Sequence, residues 1–215
     1  MSLPPPNPRV YHITHVTNLP SIVADGCLWS DRIIANRGGP NQTIGMSEIK
    51  KRRLRLPVGC HQGTFVGDYV PFYFCPRSVM LFLIYRGNHP DLPFRDGQGE
   101  IVHLEADLNS VVGWATGANR PWAFSPSSAG ASYTRFENSL ARLDQLDWAA
   151  IANTDFRDSD VKEAKQAEFL VHEAFPWPLV TRIGVISTSV QNNVARTIQA
   201  ASHKPTVAVM PNWYY

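Results

Sequence analysis

Cysteine is scarce in this chain and shows no pairing pattern. Only Cys27, Cys60 and Cys75 occur, an odd number at wide separations. No two of them have the spacing of a zinc knuckle or of a dithiol redox motif. The expectation is reduced, mostly buried thiols in a cytoplasmic protein without metal or disulfide framework. Charge is also thin: Asp, Glu, Lys and Arg make up 18% of the residues, and the formal net charge is +2. So weak an overall field does not gather polyanions, and any polyanion site must come from local clustering. Long apolar runs are missing. Val79 to Tyr85 is far shorter than a bilayer requires, and Met1 to Pro8 is proline-rich without the apolar core of a secretion signal. Two glycine signatures are missing as well. Gly38-Gly39 lacks the spacing and the following Lys-Ser/Thr of a phosphate loop. Ser187-Thr188-Ser189 lacks the glycines of a nucleophile elbow.

What is present suits one large domain. The 215 residues are 44% hydrophobic and 11% aromatic, enough for a substantial core, and 17 prolines favour a loop-rich fold. Residues 1–8 read as a flexible lead and residues 9–215 as a single domain. Short apolar runs predict strands at Val10–Thr14, Cys27–Trp29, Val70–Phe74, Ile101–Leu104, Glu168–Val171, Ile183–Ile186 and Val207–Val209. Helices are predicted from Thr17 to a stop at Gly26, at Met46–Arg53, Ser78–Arg86, Phe136–Leu143 and Val190–Ala201, with a short one from Asp107. Residues 31–43 and 113–132 read as long loops, and 149–161 as a polar segment. Many short strands with helices between them indicate a mixed α/β fold with small sheets around a cleft. Loops that long in a compact domain are often lids or binding elements.

Three constellations carry chemistry. Glu168 opens an apolar strand, Glu168-Phe169-Leu170-Val171, where a carboxylate is desolvated and must find partners. Tyr11-His12-Ile13-Thr14-His15 places two histidines three apart on a strand, hence on opposite faces, which argues against a shared metal. Lys50-Lys51-Arg52-Arg53 is the local cationic cluster; without context it is a solvated helix face. A strand glutamate, a strand histidine and an arginine suit chemistry that passes through a cationic sugar. The carboxylate stabilises the cation, the imidazole holds a hydroxyl, and the guanidinium holds phosphate or the acceptor.

Tyr11-His12-Ile13-Thr14-His15 with Asn18-Leu19, the helix Ile49-Lys50-Lys51-Arg52-Arg53, the run from Asp68 to Ser78, Lys165 to Val171, and the terminal Trp213-Tyr214-Tyr215 together resemble the DarT family. Those are bacterial toxins that transfer ADP-ribose from NAD to DNA. The resemblance spans nearly the whole chain in the same order. It implies an ADP-ribosyltransferase-like α/β fold in which two small sheets flank an NAD cleft. It implies catalytic roles for Glu168 and Arg53, and NAD contacts from His12, Ile13, Thr14, Arg53 and Tyr73, with Ser21 and Trp29 where the family lines the pocket. Residues 35–55 would form the NAD-binding element and residues 114–166 the substrate loop. Single-stranded DNA, modified on thymine, would be the acceptor, and a macrodomain antitoxin the partner.

The residues agree with that chemistry. Glu168 can bond the ribose 2′-hydroxyl and stabilise developing positive charge. Arg53 stays protonated, so it is not a literal base for thymine N3; it would stabilise the anion or hold phosphate. Trp114, Trp122, Phe124 and Tyr133 would stack bases. Gln166-x-Glu168 also resembles the pair used by ADP-ribosyltransferases that modify guanine or protein asparagine. Guanine, RNA or protein acceptors, or a non-catalytic NAD- or nucleic-acid-binding module, therefore remain as alternatives.

Overall fold

The computed structural model describes residues 3–215; Met1 and Ser2 of the expected lead lie outside it. Among the described residues there are nine strands: β1 Arg9–His15, β2 Cys27–Trp29, β3 Tyr69–Tyr73, β4 Ile101–Asp107, β5 Trp122–Ser125, β6 Glu168–His172, β7 Ala174–Pro176, β8 Arg182–Val185 and β9 Thr206–Val209. Eight α-helices join them: α1 Leu19–Asp25, α2 Asp31–Asn36, α3 Ser47–Arg53, α4 Val79–Arg86, α5 Leu108–Gly117, α6 Trp148–Ala152, α7 Ser159–Ala164 and α8 Thr188–Thr197. Seven strands form a sheet in the order β5-β6-β3-β1-β4-β8-β9, and β2 pairs with β7 in a second. All pairs are antiparallel except β8 with β9, whose crossover is α8. Among the described residues no helix is long and apolar enough to cross a membrane.

The large sheet is nearly two sheets. β1 pairs with β4 over its full length, from Arg9↔Asp107 to His15↔Ile101. On its other side β1 meets β3 in the single register pair Tyr11↔Tyr73. A three-strand half, β5-β6-β3, is thus hinged to a four-strand half, β1-β4-β8-β9. The packing follows the same division. One face, bearing Val10, Phe72, Leu104, Phe169, Val171 and Ile183, is covered by one continuous apolar core. The opposite face carries two separate clusters. Ile13 and Ile101 pack with Trp213 and Tyr214 on the four-strand half, and Tyr69, Ala123 and Leu170 pack with Val58 and Val66 on the other. Alternation along each strand decides which side chain serves which cluster. The seam between the two clusters is the natural place for polar groups.

Several expected boundaries shift. Residues 31–43 are not wholly loop: Ser30 caps α2, its hydroxyl accepting the Ile33 N–H at 3.5 Å. The stretch 113–132 is not a lid throughout. Asp107 accepts the Ser110 N–H at 2.8 Å and starts α5, whose Leu108, Val111, Val112 and Ala115 form a helical apolar stripe. Its glycines 113 and 117 sit on the exposed side, where they are tolerated, and β5 follows. The helix expected at 136–143 is a 3-10 turn over Leu140–Gln145, because Glu137 bridges to Phe124 in extended form. The polar segment 149–161 holds most of α6 and the start of α7.

His103 is fully buried on β4, its Nε2–H donating to the Pro76 carbonyl at 3.0 Å. Trp213 and Tyr214 pack edge-on against it, and Trp213 sits so close to Gly184 that any β-carbon there would overlap the indole. Burial pushes the His103 pKa down to about 4 from 6.5. The unfolded chain therefore binds this proton more readily, and the stabilisation present above pH 6.5 is lost as pH falls toward 4. Urea unfolding at pH 7 and pH 4.5 is expected to show this group contributing a loss of about 2–3 kcal/mol. A His103→Met variant should have a flatter profile over that window; an unchanged profile would contradict this source of acid sensitivity.

Candidate active site

The register pairs place four side chains in a row across the sheet. Ser125 faces Glu168, Glu168 faces Tyr73, and Tyr73 faces Tyr11. Glu168 begins β6 because the chain leaves α7 through a tight turn at residues 165–167. Lys165, itself buried, anchors that turn by donating to the Ile151 carbonyl at 2.8 Å and to Cys75 Sγ at 3.5 Å. Glu168 is therefore delivered to the seam from a rigid strand end.

Glu168 and Arg53 form a buried ion pair. They are 4% and 6% exposed, so each needs the other to offset the loss of water. Arg53 Nη1 donates to Glu168 Oε2 at 2.8 Å and Oε1 at 3.1 Å. The backbone N–H of Ala129 donates to Oε1 at 2.9 Å, tying the loop after β5 to the same carboxylate. Arg53 Nε and Nη2 are buried without a hydrogen-bond partner among the described residues. These two nitrogens share one edge of the planar guanidinium, a two-pronged donor. Asp31 lies near Nε, its Oδ2 at 3.9 Å from that atom and its Oδ1 at 3.0 Å from Lys50 Nζ. Burial works against the charge on Arg53, but Glu168 and Asp31 together hold its pKa above the ordinary value. It is a cation in the folded protein.

His12 lies at the split between the half-sheets. Its Nδ1 is 2.8 Å from the Pro71 carbonyl, where the ladder between β1 and β3 has lapsed. A carbonyl only accepts, so Nδ1 carries the proton and Nε2 keeps a lone pair. Burial lowers the imidazole pKa, keeping it neutral. Tyr73 is half-buried beside Glu168; burial and that negative charge push its phenol well up. Thr14 is buried and accepts from Asn18 Nδ2 at 3.0 Å. Asn18 also exchanges hydrogen bonds with the backbone of Gln42 at 2.9 Å each way, fastening the loop before α3 to the end of β1. Ile13 faces the opposite way, into the four-strand cluster.

Ser21 and Trp29 stand apart from this group. Ser21 is exposed and donates to the Asn18 carbonyl at 2.9 Å. Trp29 donates from Nε1 to Asp25 at 2.8 Å, with the Arg37 guanidinium 5.3 Å above its ring. Gln166 does not share a face with Glu168: it precedes the strand and turns back to the Lys162 carbonyl at 3.2 Å. The four aromatics expected to stack bases also divide. Phe124 is fully buried, and Trp114 and Trp122 pack against the main core. Tyr133 alone of the four is exposed, at 70%, with its hydroxyl hydrogen-bonded to Glu163. The basic cluster splits by helical period: Lys50 and Arg53 face inward, while Lys51, Arg52 and Arg55 face solvent. Asp31 and the Ala129 N–H escape a sequence reading. The first sits in a stretch whose Gly and Asn content reads as loop, and the second is a backbone group with no signature. Among the described residues no cluster of His, Cys, Asp and Glu could hold a metal ion.

A strand-end glutamate held by an arginine, with a tyrosine and a neutral histidine at the split of a two-part sheet, defines the ADP-ribosyltransferase-like class. The family model described as "ssDNA thymidine ADP-ribosyltransferase, DarT" matches residues 11–215. A DNA ADP-ribosyl transferase of Thermus sp. strain 2.9 is 38% identical over 216 residues, covering 99% of this chain and 98% of the relative. The structure of Thermus sp. 2.9 DarT with ADP-ribosylated ssDNA superposes with a TM-score of 0.90 at 35% identity, covering 100% of this chain and 99% of that one. The same protein with NAD+ gives 0.82 at 34% identity, covering 99% and 100%. The chain belongs to the DarT family.

The buried pair makes a stability prediction. Glu168→Ala leaves Arg53 without its hydrogen-bond acceptor in the seam, and urea unfolding should show a loss of about 3 kcal/mol. Glu168→Gln, which keeps a carbonyl oxygen there, should lose less. Equal stability of Glu168→Ala and the parent would mean that the pair does not fasten α3 to β6.

Proposed function

We propose that this chain transfers ADP-ribose from NAD to thymine in single-stranded DNA, with Glu168 and Arg53 as its catalytic residues. The observation that carries the reading is the buried Arg53–Glu168 pair, whose guanidinium keeps one edge, Nε and Nη2, without a partner. These are unsatisfied buried donors at a seam between two half-sheets, where a ligand with acceptor atoms fits. The neutral His12 adds an unprotonated Nε2 at the same split. NAD supplies a ribose that gains positive charge as nicotinamide leaves. Glu168 accepts a hydroxyl hydrogen bond and stabilises that charge, while Arg53 and the Ala129 N–H keep its carboxylate aimed. His12 Nε2 accepts a second hydroxyl, and Tyr73, Thr14 and the backbone at Ile13 shape the pocket. The family resemblance would put Ser21 and Trp29 at its edge, although their contacts here are to Asn18 and Asp25.

Arg53 cannot take the proton from thymine N3, because its own charge is reinforced. Its part is to stabilise the anion. The N3 proton passes to solvent water, and the resulting charge is shared with the flanking carbonyl oxygens. One such oxygen, with two lone pairs, can accept from both prongs of the side-on guanidinium edge and leaves the N3 lone pair free to attack the ribose as nicotinamide departs. The exposed side of α3 supports a strand path: Arg52 and Arg55, with Leu56 and the Lys51–Glu48 pair, line a depression of about 360 Å³, and the Arg52 guanidinium lies close to Gly130. Tyr133 is the exposed aromatic available to stack a base. The family further implies a toxin whose partner is a macrodomain antitoxin that removes the mark.

The test is incubation with NAD and a panel of single-stranded and duplex oligonucleotides, each rich in one base, followed by mass spectrometry. Thymine-containing single strands should be modified and duplexes poorly, since a paired base must first be flipped out. Labelling of guanine, of RNA or of protein alone would move the acceptor accordingly. Arg53→Lys can still pair with Glu168 but offers no fork. It should lose transfer to DNA by about 100-fold while retaining most of the slow hydrolysis of NAD. Full transfer by Arg53→Lys would remove the fork from the account.

A further inference from the structure

We propose that Asp31 is a positioning residue for transfer, holding the Arg53 guanidinium so that its Nε–Nη2 edge faces the acceptor base. This rests on the function proposed above. Lys50 and Arg53 are three residues apart on α3 and share one face of that helix. The face meets the first turn of α2, where Asp31 Oδ1 is 3.0 Å from Lys50 Nζ and Oδ2 is 3.9 Å from Arg53 Nε. On its far side Arg53 is fixed by Glu168 through Nη1. The two carboxylates restrain the guanidinium plane, because rotation about Cδ–Nε would carry Nη1 away from Glu168 and turn the Nε–H away from Asp31. At 3.9 Å Asp31 is too far to consume the Nε–H. It directs that donor by charge and leaves it free for a ligand.

Asp31 is itself held firmly. It follows Ser30, which caps α2 and whose N–H donates to the Glu173 carbonyl at 2.8 Å. The Asp31 side chain is 19% exposed, so its charge is only partly screened. The formal charges also balance: Arg53 and Lys50 face Glu168 and Asp31. A phosphate entering this spot meets no net positive field. A thymine enters neutral and becomes an anion only as N3 gives its proton to solvent water, its charge then falling partly on the carbonyl oxygen held at the donor fork. Asp31 thereby biases Arg53 toward a base and against backbone or pyrophosphate oxygens, a specificity built partly on repulsion.

The experiment compares the parent with Asp31→Asn, Asp31→Glu and Lys50→Met. It measures kcat and KM for transfer to a thymine-containing single strand, the rate of NAD hydrolysis, and the thermal midpoint. Asp31→Asn preserves size and removes charge. Its transfer kcat should fall at least tenfold further than its hydrolysis, with an oligonucleotide KM that does not rise. Asp31→Glu should recover part of the ratio, and Lys50→Met, which leaves the Asp31 charge in place, should disturb it less than Asp31→Asn. An unchanged ratio of transfer to hydrolysis in Asp31→Asn would overturn the proposal. So would a parallel fall of transfer, hydrolysis and thermal midpoint that Lys50→Met reproduces, since Asp31 would then only tie α2 to α3. A parent that transfers to no oligonucleotide would instead defeat the proposed function.

Discussion

The lapse of the ladder between β1 and β3 after one residue pair governs the rest of the molecule. A sheet that parts leaves backbone groups without strand partners, and these must be satisfied another way. His12 does so at one point by donating to Pro71, which also fixes its tautomer. The parting also divides the apolar cover on one face, so no hydrophobic cluster fills the seam. Charged groups fill it instead. Arg53 enters from the end of α3 and Glu168 from the start of β6, and the two neutralise each other.

A buried ion pair contributes little net stability compared with an apolar contact of the same size. Its retention in the seam is understandable if the charges are needed for chemistry. Glu168 accepts three hydrogen bonds from Arg53 and Ala129, which hold its carboxylate in one orientation. Arg53 is the opposite case, with two buried donors left unpaired. One partner is satisfied and the other is left in need of acceptors. That asymmetry suits a site that must stabilise a developing cation on one side and a developing anion on the other within one small, poorly hydrated volume. Lys165 and Cys75, buried just outside it, hold the turn that delivers Glu168.

Much of this was legible in the sequence, for reasons that lie in particular residues. The apolar run after Glu168 predicted both a strand and a desolvated carboxylate, and the order of motifs pointed to the family. Two small sheets around a cleft were expected; the structure links them by Tyr11↔Tyr73 into one seven-stranded sheet that nearly parts. What composition concealed was local. The short helix α2 was hidden by a segment rich in Arg, Asn and Gly, and with it the placement of Asp31. Trp114, Trp122 and Phe124 looked like a binding surface because aromatics do not announce their burial; α5 and β5 turn them into or against the core. Gln166 and Glu168 share a face only if both are extended, and the turn before β6 breaks that condition.

The central claim is that Arg53 and Glu168 join ribose to the ring nitrogen of an unpaired thymine. The most direct measurement uses two single-stranded oligonucleotides, each with one acceptor, identical except that one carries thymine and the other N3-methylthymine. Each is incubated with NAD and this protein and read by intact mass and fragmentation. The account predicts one ADP-ribosyl addition on the thymine strand, located on the base, and none on the methylated strand. Equal modification of both strands would contradict it.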